Sequence, residues 1–336
     1  MGGITTEGDE TANVRYCTLA DKHYFPGLVA LVNSLRLMGH HEPISILDLG
    51  LTAKQRSVLG AECDIIPLPG GHPRHPWLCE PIACMALPAE VIVYLDADVI
   101  VTRPLDALIE RARAGKIVAC ADTMSDRWFA EWVSIFELSR PLRHETYVNV
   151  GFLALSAKRF GSLLDRWSEC CALLVGRPTV LDDRAAADTP VGFSSQDALN
   201  ALLMSELAPS DLDIQTSHTE VRTASLPDTE VTDVAALTCT FEGQPVTFLH
   251  HTGRRKPWDR NPRALVPNAY LTCLRRLLTA DDVALQPSPD EVPVWLRAGR
   301  CGALSYRTLL AIITASRALF RYGRVLREAT RIRSAS

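Results

Sequence analysis

Apolar positions along this chain switch repeatedly between two spacings, and the switching predicts its architecture. NVRYCTLA, residues 13–20, reads as a short buried strand, after which Leu28, Leu31, Val32 and Leu35 recur every three to four residues and predict a helix. ISILDLGL (44–51) is a second strand, TAKQRSVLG (52–60) a helix opened by a Thr52 cap, and CDIIPLP (63–69) a third strand. VIVYL (91–95), KIVACAD (116–122) and YVNVGFLALS (147–156) continue the strands. Between the first two of these lies the helix LDALIERARAG, closed by Gly115, and after the third comes the helix KRFGSLLDRWSECCALL. Strands alternating with helices predict an α/β fold with a mostly parallel central sheet flanked by helices.

Residues 182–190, rich in Asp and Ala, are expected as a loop leading into the helix SSQDALNALLMSEL, and VTFLH (246–250) is one more strand ending at His250. One domain is expected over 13–285, preceded by a disordered acidic segment, 1–12. QPSPDEVP, 286–293, reads as a linker. Beyond it, Leu309, Ile312, Ile313, Leu319, Phe320 and Leu326 with interleaved Arg predict a basic amphipathic helix, interrupted near Gly323.

Composition, at 47% apolar and 22% charged, excludes intrinsic disorder as the general state. Charge is uneven. Residues 297–336 hold nine Arg and no Lys against Glu328, a net +8, which leaves −12 for the rest of a chain whose total is −4. The tail therefore suits either an anionic membrane surface or docking on the domain with a solvated Arg face. No basic groove interleaved with aromatics points to nucleic acid. The N-terminus lacks the apolar core of a secretory signal, and no apolar run reaches the length of a membrane span. The ten cysteines lack a CxxC pair and read as small buried apolar residues, so a cytoplasmic protein, peripheral to the membrane, is expected.

In VIVYLDADVIV the apolar run is broken by Asp96 and Asp98. Ligands collect outside the carboxyl ends of strands in such sheets, and two carboxylates there suit a hard divalent cation. Taken alone, a strand-ending Asp is as often a turn or cap residue. FLHHTGRRKPW, 248–258, adds an imidazole at His250, a Gly253 that allows close backbone approach to a phosphate, and the Lys256 charge; its plain reading is a basic turn anchored by Trp258. Trp128 and Trp132 read as a packed cluster, and PGGHPRHPW (69–77) as a loop over the site.

LDAD (95–98), YVNVG (147–151), SSQDALN (194–200) and HHTGRRKPW (250–258) stand in the order of glycosyltransferase family eight, which the chain resembles over about residues 13–265. The pattern HxxGxxKPW is the most specific part. The resemblance implies the GT-A nucleotide-diphospho-sugar transferase fold and retaining transfer of a hexose, glucose or galactose, from a UDP-sugar to a saccharide, lipid-linked or protein acceptor. Residue by residue, it implies that Asp96, Asp98 and His250 hold Mn²⁺, with Mg²⁺ as the alternative, and that Gly253 and Lys256 contact the diphosphate. Ala20, Asp21 and Tyr24 would surround the uracil, with Tyr24 stacked on it, and Ala97 would join the donor-binding set. Asn149 and Gly151 would line the sugar, and Gln196 would face its reactive side. Asp197, which follows Gln196, is either a nucleophile after movement or a carboxylate favoured at a helix N-terminus. Because a neutral Gln amide is a poor nucleophile, attack on the same face as the departing phosphate is preferred.

Two positions depart from the family. Ser195 stands where an Asp often contacts sugar hydroxyls, and Glu80, in LCEPIAC, where the preceding helix commonly carries a basic residue. Two rival readings use the same residues. A haloacid-dehalogenase-type phosphatase would take Asp96 as nucleophile and Asp98 as acid/base, with Lys158 and Asp182-Asp183 as partners, but it leaves HHTGRRKPW unexplained. A non-catalytic nucleotide-sugar-binding protein would fit the two departures.

Overall fold

A computed structural model describes residues 12–70, 75–177, 183–216, 219–222, 226, 228–261 and 266–315. The seven-stranded main sheet comprises β1 (Ala12–Ala20), β2 (Ile44–Asp48), β3 (Asp64–Pro67), β4 (Ala89–Leu95), β6 (Ile117–Ala121), β7 (Val148–Ser156) and β8 (Leu212–Gln215), in the order β3-β2-β1-β4-β7-β6-β8. All pairs are parallel except those that β7 makes with β4 and β6. A second sheet sets β13 (Phe248–His250) between β5 (Val99–Val101) and β9 (Glu220–Arg222), and β10 (Thr229–Asp233), β11 (Thr238–Phe241) and β12 (Gln244–Pro245) form a third.

The apolar run of β4 is continuous because both faces of the sheet are covered. Val91, Val93 and Leu95 point into one core and Ile92 and Tyr94 into the other, as the two-residue period of a strand requires. The first core is closed by α1 (Phe25–Leu37), α4 (Asp106–Arg113) and α9 (Ala269–Thr279); the second by α3 (Glu80–Met85), α5 (Trp132–Ile135), α6 (Ala157–Ala172) and α8 (Ser195–Glu206). α2 (Ala53–Leu59) begins in a full capping box: Thr52 Oγ1 accepts from the Gln55 amide, and the Gln55 side chain accepts from the Thr52 amide.

Several expectations need revision. Within the stretch expected as a loop, residues 183–187 form the short helix α7 (Asp183–Ala187). Residues 286–293, read as a linker, lie against the domain. Leu285, Val292 and Leu296 are buried in the first core, and Asn33 at mid-α1 bonds both the carbonyl and the amide of Leu285. The paired tryptophans separate: Trp132 is fully buried against Tyr147, whereas Trp128 is half-exposed and stacked on His144. A helix, α10, runs from 299 to the last described residue, 315; Tyr306, Leu309, Leu310 and Ile313 pack on the first core. Leu319, Phe320, Gly323 and Leu326 of the basic helix, and all but the last residue of the expected disordered segment, lie outside the described residues. Ala12 already belongs to β1. Among the described residues, no helix is long and apolar enough to cross a membrane.

Candidate functional site

Strand register assembles the site. After β4 the chain turns, with the Val99 amide donating to the Asp96 carbonyl, and β5 then pairs antiparallel with β13 so that Val99 lies opposite His250. That pairing sets residues more than 150 apart in sequence side by side. His250 Nε2 lies 3.2 Å from Asp98 Oδ1 and 3.5 Å from Asp96 Oδ2, and one ligand atom from each residue falls within 4.8 Å of the others. Lys256 Nζ takes the other oxygen of Asp98 at 2.5 Å and the His251 carbonyl at 2.7 Å, and Tyr94 O–H donates to Asp96.

Electrostatics follow from burial and pairing. Burial alone would raise Asp98, but the Lys256 and His250 charges hold it well below the usual carboxylate range. Asp96 is raised by burial and by the neighbouring Asp98 charge, despite His250 and Lys256. Burial pulls the His250 imidazole down, yet Asp98 and Glu220 outweigh it and push it up to about 10. Glu220 Oε1 is 2.8 Å from His250 Nδ1. A carboxylate at Nδ1 holds the proton there and turns Nε2 toward the aspartates, the arrangement found behind metal-bound imidazoles. Two carboxylates and an imidazole with such a support suit a hard divalent cation such as Mn²⁺. Glu220→Gln is expected to weaken divalent-metal affinity roughly 10- to 100-fold without unfolding the protein; a Mn²⁺ titration of both forms measures it, and equal affinities would remove Glu220 from the site.

Of the remaining candidates, Ala20, Asp21, Tyr24 and Ala97 line a cavity together with Leu19, Trp77, Glu80, Asp96 and Asp98. Tyr24 is 38% exposed, with Lys256 Nζ 5.4 Å from its ring centre. Asp21 also has a local role, accepting from the amides of His23 and Tyr24 at the entrance to α1. Gly253 is half-buried in the loop between His250 and Lys256. Lys256 itself is buried, bonded to Asp98, and its charge also acts on Asp96 and Tyr24.

Gln196 is held by its neighbours. Its Oε1 accepts from Asn149 Nδ2 at 3.1 Å and from the Val150 amide at 3.2 Å, while Nε2 donates to Asp122 Oδ2. Asn149 also donates to Asp122, which closes a three-residue network. Asp122 and Glu220 were not singled out from the sequence. Asp122 is the strand-ending acid of KIVACAD, the same signal that Asp96 gives; Glu220 lies in a three-residue strand with no pattern to mark it.

Asp197 does not face the cavity chemistry expected of a nucleophile. It is fully buried, and its oxygens are committed to Arg127 (2.7 and 3.0 Å), Tyr147 O–H (2.8 Å) and the Phe193 amide (2.7 Å). Burial raises its pKa in spite of Arg127. Its evident work is to fix the start of α8, where Ser194, at a φ of 46°, turns the chain into Ser195 and Gln196. For the phosphatase reading, Asp182 lies outside the described residues and Asp96 is bonded to Tyr94 within the Asp-Asp-His group.

No protein-family model and no curated protein matches the sequence. Solved structures do match. An active-site mutant of LgtC superposes with a TM-score of 0.52 at 18% identity, covering 84% of this chain and 98% of that one. The bifunctional glycosyltransferase WbbM gives 0.51 at 14% identity, over 83% of this chain and 52% of that one. The glycosyltransferase GlyE of Streptococcus pneumoniae TIGR4 gives 0.51 at 15%, over 81% and 61%. Identities this low speak to architecture, and with the sheet order above they establish that the chain has the GT-A fold.

Proposed function

We propose that this protein is a retaining, metal-dependent hexosyltransferase that takes glucose or galactose from a UDP-sugar. The observation that carries the reading is the convergence of Asp96, Asp98 and His250, with Glu220 behind the imidazole, at the edge of the cavity that holds Tyr24 and Asp21. The resemblance to family eight implies a donor diphosphate at the metal corner and a base beside Tyr24. A hard divalent cation held by the three ligands would supply the positive charge that a departing diphosphate needs. Lys256 keeps Asp98 ionised for that task, and the exposed Tyr24 ring offers a stacking face for a base. Asn149 and Asp122 fix the Gln196 amide in one orientation, which suits a group that positions the sugar. With Asp197 committed to Arg127, attack on the face of the departing phosphate is favoured over a covalent intermediate on this chain. Hydrolysis of UDP-glucose or UDP-galactose in Mn²⁺, abolished by chelator and restored by added metal, is the expected result; chelator-insensitive turnover, or none with either sugar, would refute the reading.

The acceptor is proposed to be a saccharide or lipid-linked saccharide at a membrane surface, which α10 would approach. Leu304 and Ile312 stand 68% and 57% exposed on that helix, alongside the exposed Arg300 and Arg307. Apolar side chains rimmed by arginine suit an anionic bilayer. Truncation before Arg297 should reduce cosedimentation with phosphatidylglycerol vesicles by at least about tenfold, since each basic residue near the surface is worth about 1 kcal/mol and two of them already exceed the roughly 1.4 kcal/mol of a tenfold change. Equal binding by both forms would contradict this.

A further inference from the structure

Trp258, the last residue of HHTGRRKPW, takes no part in the donor chemistry above, yet it bears directly on Tyr24. The indole is 6% exposed, so it does not itself meet a ligand. Its Nε1–H donates to the His23 carbonyl at 2.7 Å across 235 positions of sequence, and its ring stands against that of Tyr24, 6.2 Å away at an angle of 70°. The outer edge of the indole reaches the first turn of α1 at Gly27, where a Cβ would lie 2.5 Å from Trp258 Cη2 and 2.5 Å from the Ala97 carbonyl. That turn is therefore wedged between Trp258 and the Asp96–Asp98 segment. Tyr24 is the residue that caps the turn, and its side chain makes no capping bond, so its ring is placed by what abuts it. Trp258 is braced in its turn from outside residues 13–265, the stretch that resembles family eight: Trp295 Nε1 donates to the carbonyl of buried Pro257 at 3.2 Å, and Arg260 reaches the Asp290 carbonyl at 2.9 Å. Lys256 is held separately, through its side chain by Asp98 and the His251 carbonyl and through its amide by Asp259.

We propose that Trp258, braced by Trp295, is a positioning residue that fixes the Tyr24 ring as the stacking face for the base, and that it acts on the base end of the donor while sparing the cation end. Aromatic rings attract in a few set arrangements, so a stacking face that tilts or slides loses much of its value. Tyr24 is 38% exposed and stands at the open end of a helix, where a side chain with two free torsions would otherwise sample several orientations. With the indole against it, the ring gives up that freedom before a ligand arrives, which lowers the ordering cost of binding. The inference rests on the UDP-sugar reading above, and the test separates the two.

The experiment compares wild type with Trp258→Phe for the affinities of three ligands in Mn²⁺: uridine, UDP and inorganic pyrophosphate. Phe keeps an aromatic ring but removes Nε1–H and the outer ring edge at Gly27. Stacking of a base on an aromatic side chain is worth about 5- to 150-fold in affinity, and a misplaced ring forfeits part of it, so uridine and UDP affinities should both fall by about 5- to 50-fold. Pyrophosphate affinity should stay within about twofold, because Lys256, Asp98 and His250 keep their own partners. KM for the hydrolysed UDP-sugar should rise with kcat nearly unchanged, as expected when binding common to the ground and transition states is lost. A Trp258 that serves stability alone would leave all three affinities unchanged or lower them together, and either result would overturn the inference while the UDP reading stands. A wild type that binds no UDP, or binds it no more tightly than pyrophosphate, has no base site, and would overturn both. Should Trp258→Phe fail to fold, Trp295→Phe, which removes the bond to Pro257, is expected to lower uridine and UDP affinity by about 2- to 10-fold and to spare pyrophosphate. Unaltered uridine and UDP affinity in that variant would count against the proposal.

Discussion

Gly151→Ala is expected to lower divalent-metal affinity by about 100-fold or more and to abolish metal-dependent turnover while leaving the fold intact, because the added methyl displaces a ligand that is already pinned from its other side. A Cβ at position 151 would lie 2.3 Å from His250 Cε1, 2.7 Å from His250 Nδ1 and 2.8 Å from Asn149 Oδ1. None of these separations is tolerable. The imidazole can retreat only by giving up Glu220, which bonds Nδ1 at 2.8 Å, and Asn149 only by leaving the Gly151 amide and the Gln196 network. Relief at either neighbour therefore dismantles part of the site, and the strand β7 around Gly151 has no side-chain space to lose. A Mn²⁺ titration with thermal unfolding as the control decides: wild-type affinity in a folded Gly151→Ala protein would show that His250 is not a ligand or that its position is not critical.

The second large effect concerns stability. Replacing Arg127 by Met should cost roughly 3–5 kcal/mol of unfolding free energy, the penalty for leaving one partner of a buried ion pair without the other. Arg127 is 7% and Asp197 0% exposed, and the pair is bidentate. The same guanidinium donates to the Ala187 and Thr189 carbonyls and lies over the rings of Phe129 and Phe193 at 4.7 and 4.8 Å. One side chain thus joins α7, the turn after it, the start of α8 and β7 through Tyr147. Urea unfolding of Arg127→Met, beside the double variant Arg127→Met/Asp197→Leu, measures the effect. The double variant should recover part of the loss, since it also removes the stranded carboxylate. A single variant within about 1 kcal/mol of wild type would mean that Asp197 is neutral in the folded protein and that the pair is not what fixes α8.

How much of this was legible in the sequence depended on whether a residue's role was local. The Thr52 cap and the strand β4 were readable because a cap depends on residues three apart and a buried strand on a short continuous apolar run. Asp96, Asp98 and His250 were readable because charges that interrupt or end a buried strand stand out against the apolar run. Glu220 was not, since its significance arises from β9 pairing with β13, and TEVR at 219–222 resembles any polar connection. The hydrogen bond from Ser195 Oγ to Glu80 Oε2, 2.8 Å long, was equally invisible as a contact, although each residue was conspicuous as a departure. Gly151 was read as lining the sugar, and its packing against His250 was not visible in the sequence. The short strands β10 to β12 went unread because their exposed Thr, Glu and Asp positions carry no apolar period, and α7 because five residues are too few to show one.

The central claim is that Asp96, Asp98 and His250 form a metal-bridged nucleotide site, and isothermal titration with UDP tests it most directly, run with and without Mn²⁺ on wild type and on the Asp96→Ala/Asp98→Ala double variant. UDP binding by the wild type that requires Mn²⁺ and disappears in the double variant is the predicted result. Binding that ignores both the cation and the two carboxylates, or no binding of UDP in either condition, would contradict it.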